Sequence, residues 1–84
     1  MLKVLFFASV REQLDCVALD IILPDQGLDL ENLRAMLWSQ REPKWRSVLE
    51  QKNLICAVNQ VVVRENCALA DGDEVAFFPP VTGG

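Results

Sequence analysis

Hydrophobic and polar positions along the chain predict five short β-strands. The segments are rich in branched and aromatic residues and contain no glycine or proline. They cover residues 2–8, 16–23, 54–58, 61–63 and 74–78. Residues 24–27, 59–60 and 71–73 have the composition of tight turns. The first two strands, which follow each other in the chain, are expected to pair as a hairpin. Pro79 and Pro80 end the last strand, because proline cannot donate a hydrogen bond to a sheet ladder.

The main helix is predicted between the second and third strands, from the spacing of its apolar residues. Its apolar residues recur at helical spacing. They are Leu30, Leu33, Met36 and Leu37. Asp29 is the predicted N-cap, and Glu31 lies favourably near the positive end of the helix dipole. The helix is expected to end before Pro43.

Two shorter helical segments are also indicated. One begins at Pro43, which suits a first helical position, and Trp45, Val48 and Leu49 share one of its faces. The other is a single turn over residues 9–14, with Ser9 as N-cap in a capping-box spacing.

This order of elements predicts an α+β domain. A mixed sheet of about five strands packs on one main helix with a short second helix, and the first and last strands are central. Eighty-four residues are enough for one domain. A hydrophobic fraction of 51% against 24% charged residues indicates a folded core.

Charge and hydropathy disfavour two classes of partner. Eight basic and twelve acidic residues give a net charge of −4, so a nucleic-acid backbone would be repelled. No apolar run approaches the roughly 20 residues that a membrane-spanning helix needs. With no targeting segment recognisable at the start of the sequence, the cytoplasm is the expected location.

The residue types available for side-chain chemistry are few. The chain has no histidine, the commonest general base and metal ligand. Cys16, Cys56 and Cys67 are odd in number and lack C-x-x-C spacing, so neither a disulfide framework nor a metal site is expected. Reduced, structural cysteines are predicted, with Cys56 in the core.

The first and last strands carry bulky apolar residues on both faces. Alternation places Leu5 and Phe7 opposite the core face of the first strand, and Phe78 opposite that of the last. One main helix covers only one face of a small sheet. Either loops or the short second helix cover these side chains, or they form an apolar patch for a partner protein.

The C-terminal segment begins with two prolines and ends with two glycines. Pro79 and Pro80 favour an extended backbone, whereas Gly83 and Gly84 lack Cβ atoms and fit a narrow slot. Five residues after Pro79 can extend about 16–18 Å. The terminal carboxylate would then be the group that the chain delivers; a terminus without a role is the alternative.

The segment 71–84, which reads DGDEVAFFPPVTGG, resembles the C-terminus of the sulfur-carrying small subunits of molybdopterin synthase. Residues 3–8 (KVLFFA) with Arg11 and Glu12, and residues 57–60 (AVNQ), are similar to the same family, so the resemblance spans essentially the whole chain. Asp15 and Cys16 depart from it, because relatives often have a glycine there.

The resemblance implies a β-grasp, ubiquitin-like domain over residues 1–79 and a flexible tail over residues 80–84. It implies that an activating enzyme adenylates Gly84 with ATP and that a sulfur donor converts it to a thiocarboxylate. The tail residues Pro80, Val81, Thr82 and Gly83 would enter the large synthase subunit, in a heterotetramer. Sulfur would pass there to cyclic pyranopterin monophosphate to form the molybdopterin dithiolene.

The resemblance also assigns partner-binding positions, and other functions stay open beside it. Phe7, Val62 and Phe78 fall where the family contacts both the large subunit and the activating enzyme. No cofactor or metal is expected on this chain, and the catalytic residues are expected in the large subunit. The alternatives are a sulfur carrier of thiamine synthesis, a protein modifier that forms isopeptide bonds, and a plain binding module.

Overall fold

The computed structural model describes residues 1–80, and residues 81–84 lie outside that range. The described part contains seven strands and three helices. In chain order they are β1 (Leu2–Phe6), α1 (Ala8–Leu14), β2 (Ala18–Ile21), β3 (Leu28–Asp29), α2 (Leu30–Ser39), α3 (Pro43–Leu49), β4 (Ile55–Val58), β5 (Val61–Val63), β6 (Ala68–Leu69) and β7 (Glu74–Phe78).

Five of the strands form one mixed sheet in the order β2-β1-β7-β4-β5. The β1 and β7 strands, from the two ends of the chain, are parallel neighbours, with Val4 opposite Val75 and Phe6 opposite Phe77. The other neighbours in this sheet are antiparallel. The predicted α+β class, the hairpin of the first two strands and the inner positions of the first and last strands are therefore confirmed.

The core lies between this sheet and the three helices. Leu2, Val4 and Phe6 of β1 are at most 1% exposed, as are Val75 and Phe77 of β7. Helical side chains complete the same cluster. They are Val10, Leu14, Leu30, Leu33, Leu37, Trp45, Val48 and Leu49. All three helices thus bury their apolar side chains against one face of the sheet.

Aromatic contacts order the middle of this core. The Phe6 ring meets Trp45 edge to face, with 5.4 Å between centroids, and stacks on Phe77 at 5.8 Å. Such aromatic pairs contribute about 0.5–1.5 kcal/mol each beyond the area they bury. They join β1 to both β7 and α3.

The residues predicted to begin α2 and α3 are found at those positions, and a side-chain hydrogen bond stabilises the end of α3. The Asp29 carboxylate accepts a hydrogen bond from the Asn32 backbone N–H at 2.8 Å, which confirms Asp29 as N-cap. Pro43 is in the first turn of α3. The Arg34 guanidinium donates to the carbonyl of Leu49 at the C-terminus of α3, so α2 stabilises the end of its neighbour.

The segment after β1 differs from the prediction. β1 ends at Phe6, and α1 begins at Ala8 with Phe7 as N-cap and no side-chain capping bond. The prediction of Ser9 as N-cap and of a strand reaching Ala8 was therefore wrong. Ala8 has φ +51°, and this left-handed backbone turns the chain out of the strand and into the helix.

Two strand predictions also need correction. β2 is shorter than the predicted residues 16–23, because only Ala18–Ile21 lies opposite β1. β3 and β6 form a small second sheet that was not predicted. Two residues are too few to show an alternating pattern, so their pairing depends on the surrounding fold.

A network of hydrogen bonds ties the β4–β5 turn to the start of β7. The Asn59 amide donates to the Asp73 carboxylate at 3.0 Å, and its oxygen accepts from the Glu74 N–H at 3.0 Å. The same carboxylate accepts from the Ala70 N–H at 2.8 Å. These donors, first the Ala70 N–H and then the Asn59 amide, hold the pKa of Asp73 below its usual range.

The departure at Asp15 has a structural consequence. Asp15 is the C-cap of α1 and is left-handed, with φ 52° and ψ 45°. Its N–H donates to the carbonyls of Arg11 and Glu12. Glycine takes this conformation without steric cost, whereas aspartate is only tolerated in it.

Replacing Asp15 by glycine is expected to stabilise the domain by about 0.5 kcal/mol, since relief of the left-handed strain exceeds the entropy that glycine adds to the unfolded chain. Urea unfolding followed by Trp fluorescence measures the change. Asp25→Gly, at an exposed turn residue without a positive φ, is the control and should not stabilise. A loss of stability in Asp15→Gly would show that the aspartate side chain itself is needed.

Candidate functional site

The face of the sheet opposite the helices carries a continuous apolar surface. Leu5 lies opposite Ala76, Ala76 opposite Ala57, and Ala57 opposite Val62, which forms a row across four strands. Ile55 lies opposite Phe78 in a second row, to which Phe7 adds its ring. We call this surface the open face, and it consists of Leu5, Phe7, Ile55, Ala57, Val62, Ala76 and Phe78.

None of the described residues provides a helix that covers the open face. All of its members lie outside the buried cluster on the helical side. Val62 is 54% exposed and Phe7 37% exposed. Ala57 and Ala76 are buried by contrast, because their single methyl groups lie between larger neighbours. The short second helix that was considered as a cover for these side chains is α3. It does not cover them, because it packs on the core side of the sheet.

Phe7 and Phe78 form a stacked pair at one end of the open face. Their rings are 5° from parallel, with centroids 4.7 Å apart. The pair repeats on this face the stack that Phe6 and Phe77 make in the core one residue earlier. Consecutive phenylalanines in two neighbouring strands place one ring pair on each face of the sheet.

The tail leaves the sheet beside this ring pair. Phe78 is the last residue of β7, and the half-buried Pro79 and Pro80 follow it directly. The predicted tail residues Val81, Thr82, Gly83 and Gly84 lie outside the described residues. Within residues 1–80, the terminal segment therefore begins at the apolar end of the open face.

The opposite end of the same face is polar. Lys3 lies across from Asp20 on β2 and from Glu74 on β7. Charged residues are depleted from the cores of protein interfaces and common at their rims. The open face is therefore bordered by charged residues at the end of the sheet away from the tail.

Comparison of the sequence with known proteins identifies its family. The model of the ThiS family matches residues 4–84. The chain belongs to the ThiS family. It is 46% identical to the molybdopterin synthase sulfur carrier subunit of Escherichia coli (strain K12) and 44% identical to that of Haemophilus influenzae, each over 100% of both chains.

Solved structures of similar fold come from bacteria and archaea. A Helicobacter pylori 26695 structure, described as a complex of subunits 1 and 2 of molybdopterin-converting factor, is 30% identical, with a TM-score of 0.67 over 99% of this chain and 97% of that one. SAMP1 from Haloferax volcanii has a TM-score of 0.73 at 22% identity over 99% and 98%. The predicted ubiquitin-like β-grasp fold is confirmed.

Sequence reasoning found some of the open face and missed the rest. Alternation identified Leu5, Phe7 and Phe78, and the family resemblance identified Val62. Ile55 was missed because alternation was applied only to the first and last strands, and its place on this face depends on the pairing of β4 with β7. The left-handed turn at Ala8, which follows Phe6 and Phe7, has no signal in the sequence.

None of the three cysteines belongs to the open face, because all of them lie in the core cluster or pack against it. Cys56 is 5% exposed and belongs to the core cluster, and burial raises the pKa of its thiol. Cys16 and Cys67 are half-buried. No cluster of three or more metal-ligating side chains occurs in residues 1–80, and none of the helices there is long and apolar enough to cross a membrane.

A cleft of about 420 Å³ opens between α2 and the β4–β5 hairpin. Arg34, Lys52 and Arg64 line it together with Glu31 and Glu65. Arg34 is already used to hold the end of α3. The charges of both signs around the cleft favour no particular class of ligand.

Cys56 is expected to resist alkylation in the folded chain, while Cys16 and Cys67 react. The thiolate is the reactive form, and burial both blocks access to Cys56 and keeps its thiol protonated as the pH rises through its ordinary range. Iodoacetamide labelling at pH 8, followed by peptide mass analysis, measures each site, and labelling in 6 M guanidinium is the control. Labelling of Cys56 as fast as Cys16 in the native chain would contradict this prediction.

Proposed function

We propose that this chain is the sulfur carrier subunit of a molybdopterin synthase and that its working group is the carboxylate of Gly84. The observation that carries the proposal is the position of the open face, which adjoins the strand end from which the tail departs. Relatives that match it over their full length are named for this function. The similar Helicobacter pylori structure is a complex of two subunits, which supports a large-subunit partner.

The chemistry needs only the chain end. A terminal carboxylate is ionised at neutral pH and is a poor electrophile. In the proposed cycle an activating enzyme joins it to the α-phosphate of ATP, with release of pyrophosphate. A sulfur donor then displaces AMP and leaves a thiocarboxylate. After sulfur reaches cyclic pyranopterin monophosphate in the large subunit, water restores the carboxylate and the chain can be loaded again.

The open face is the proposed docking surface for both partners. Phe7, Val62 and Phe78 would be the main contacts, since they are apolar, at least partly exposed and on the same face of the sheet. An exposed aromatic and aliphatic patch of this kind is typical of protein interfaces. Its use by both partners would make loading and delivery mutually exclusive.

The tail and the assembly complete the proposal. Pro80, Val81, Thr82 and Gly83 would thread into the partner's cleft and place Gly84 at the reacting centre. The proposed assembly is a heterotetramer of two carriers and two large subunits. ATP would be bound by the activating enzyme and no cofactor by this chain. The proposed compartment is the cytoplasm, which suits three cysteines that are not paired as disulfides.

Two related functions predict different products. A carrier of thiamine synthesis would be loaded in the same way, but the full-length relatives named for molybdopterin synthase favour the function proposed here. A protein modifier would become attached to lysines of other proteins. The similarity to SAMP1, at 22% identity, supports the shared fold alone.

Deleting Gly84, or adding one residue after it, is expected to abolish sulfur transfer and leave thermal stability unchanged, because the reacting carboxylate is removed or displaced by about 3.5 Å. Intact mass after incubation with the activating enzyme, ATP and a sulfur donor measures loading as the exchange of one oxygen for sulfur. Asp25→Ala, at an exposed turn, is the control. Retained transfer by either terminal variant in a purified reaction would refute the proposal.

Val62→Ala is expected to weaken binding of the large subunit about five- to tenfold, and Val61→Ala to leave it unchanged. The two valines are neighbours with exposed fractions of 54% and 64%, but alternation directs only Val62 to the open face. Isothermal titration calorimetry measures the affinities, and thermal melts of both variants test folding. Equal losses of affinity in the two variants would place the interface elsewhere.

A further inference from the structure

The turn between β1 and α1 contains a backbone conformation that its residue does not favour. Ala8 has φ +51°, a region that side chains with a Cβ rarely adopt. Its side chain is exposed and makes no part of the core. Strain of this kind persists only where neighbouring contacts require it, and it often occurs at functional positions.

Two hydrogen bonds and a ring contact surround this turn. The Phe7 N–H donates to the Phe77 carbonyl at 3.1 Å, which extends the parallel ladder one residue beyond β1. The Phe7 carbonyl accepts from the Arg11 N–H at 3.3 Å in the first turn of α1. Phe7 is thus held by the sheet on one side and by the helix on the other, although its ring is 37% exposed.

The left-handed turn allows two elements to lie on opposite sides of the sheet. Phe7 keeps an extended backbone, with φ −126° and ψ 153°, so its ring stays on the open face against Phe78. Immediately afterwards α1 packs on the core side, where Val10 and Leu14 are buried. A residue confined to negative φ at position 8 would move either the ring or the helix.

Phe78 is the last residue of β7 and the last one held by the sheet ladder before the tail. Pro79 and Pro80 have no N–H groups to continue the ladder. An extended chain advances about 3.3–3.6 Å per residue, so a tilt of about 10° at Phe78 moves a carboxylate six residues and about 20 Å away by about 3.5 Å. Misplacement of a reacting group by about 1 Å can cost on the order of 100-fold in rate.

We propose that Phe7, held by the left-handed turn at Ala8, is a positioning residue that sets the direction in which the tail leaves the sheet. Its ring fixes Phe78 in addition to contacting the partner. This inference rests on the function proposed above, in which the tail delivers its terminal group to a partner protein. It adds that Ala8, which is not a member of the open face, controls the rate of transfer through its backbone conformation.

The test compares three substitutions at exposed positions. Ala8→Val disfavours positive φ strongly because valine is β-branched, whereas Ala8→Gly permits it freely. Ser9→Val adds the same side chain one residue later and is the matched control. Each chain is loaded as the thiocarboxylate, and single-turnover sulfur transfer is measured at saturating large subunit. We expect Ala8→Val to react about tenfold more slowly, and the other two to stay within twofold of the wild type.

A second readout uses the free chain and no partner. The Phe7 ring shifts the NMR signals of the Phe78 ring, and Ala8→Val is expected to reduce that ring-current shift while Ala8→Gly retains it. An unchanged shift, or an unchanged transfer rate at saturation, would overturn the inference. Should Ala8→Val fail to fold, Phe7→Leu, which keeps an apolar contact but removes the stacked ring, takes its place in the transfer assay, where an unchanged rate at saturation would overturn the inference.

Failure of the proposed function would look different. In that case the wild-type chain itself would transfer no sulfur to the large subunit, whatever its NMR spectrum. If the wild type transfers sulfur and Ala8→Val changes only the concentration of large subunit needed for half-maximal rate, Phe7 serves as a contact alone and the positioning role is rejected.

Discussion

The parallel pairing of β1 with β7 is the constraint on which the other features depend. It joins the two ends of the described chain in the middle of the sheet, in a register that sets Val4 against Val75 and Phe6 against Phe77. Parallel strands cannot be joined by a tight turn, so the chain between β1 and β7 must cross from one end of the sheet to the other. That crossover supplies the helices, and they cover one face because their buried side chains form a single cluster with the core side of these two strands.

The same register produces the open face. β7 ends in Phe77 and Phe78, and Phe6 at the end of β1 is followed directly by Phe7. One ring of each pair of neighbours enters the core, and the next lies on the opposite side of the sheet. The core pair explains the stability of the strands, and the outer pair marks the place where the tail begins. A rigid origin for the tail and an apolar surface around it therefore come from a single structural feature. Neither needs a catalytic side chain, which fits a chain without histidine and without a metal-ligating cluster in residues 1–80.

The fold alone does not distinguish a sulfur carrier from a protein modifier, since both kinds of protein present a chain end from a similar sheet. The distinction depends on residues at the origin of the tail and on the partner that receives it. Full-length similarity to sulfur carrier subunits supports one assignment. At the other end of β7, hydrogen bonds of Asn59 with Asp73 and with the Glu74 N–H tie the start of the strand to the β4–β5 turn.

Local patterns determined most of the elements in this protein. Short segments rich in branched and aromatic residues located the five strands of the main sheet, and helical spacing located α2 and α3. Asp29 and Pro43 were recognisable as the residues that begin the two helices. These features depend on neighbours in sequence, so they can be predicted without the fold. The tertiary structure decided the rest. The left-handed backbone of Ala8, the small sheet of β3 and β6, and the place of Ile55 on the open face depend on contacts between segments distant in sequence. A positive φ at alanine has no local cause, because it is disfavoured until the sheet on one side and the helix on the other require it.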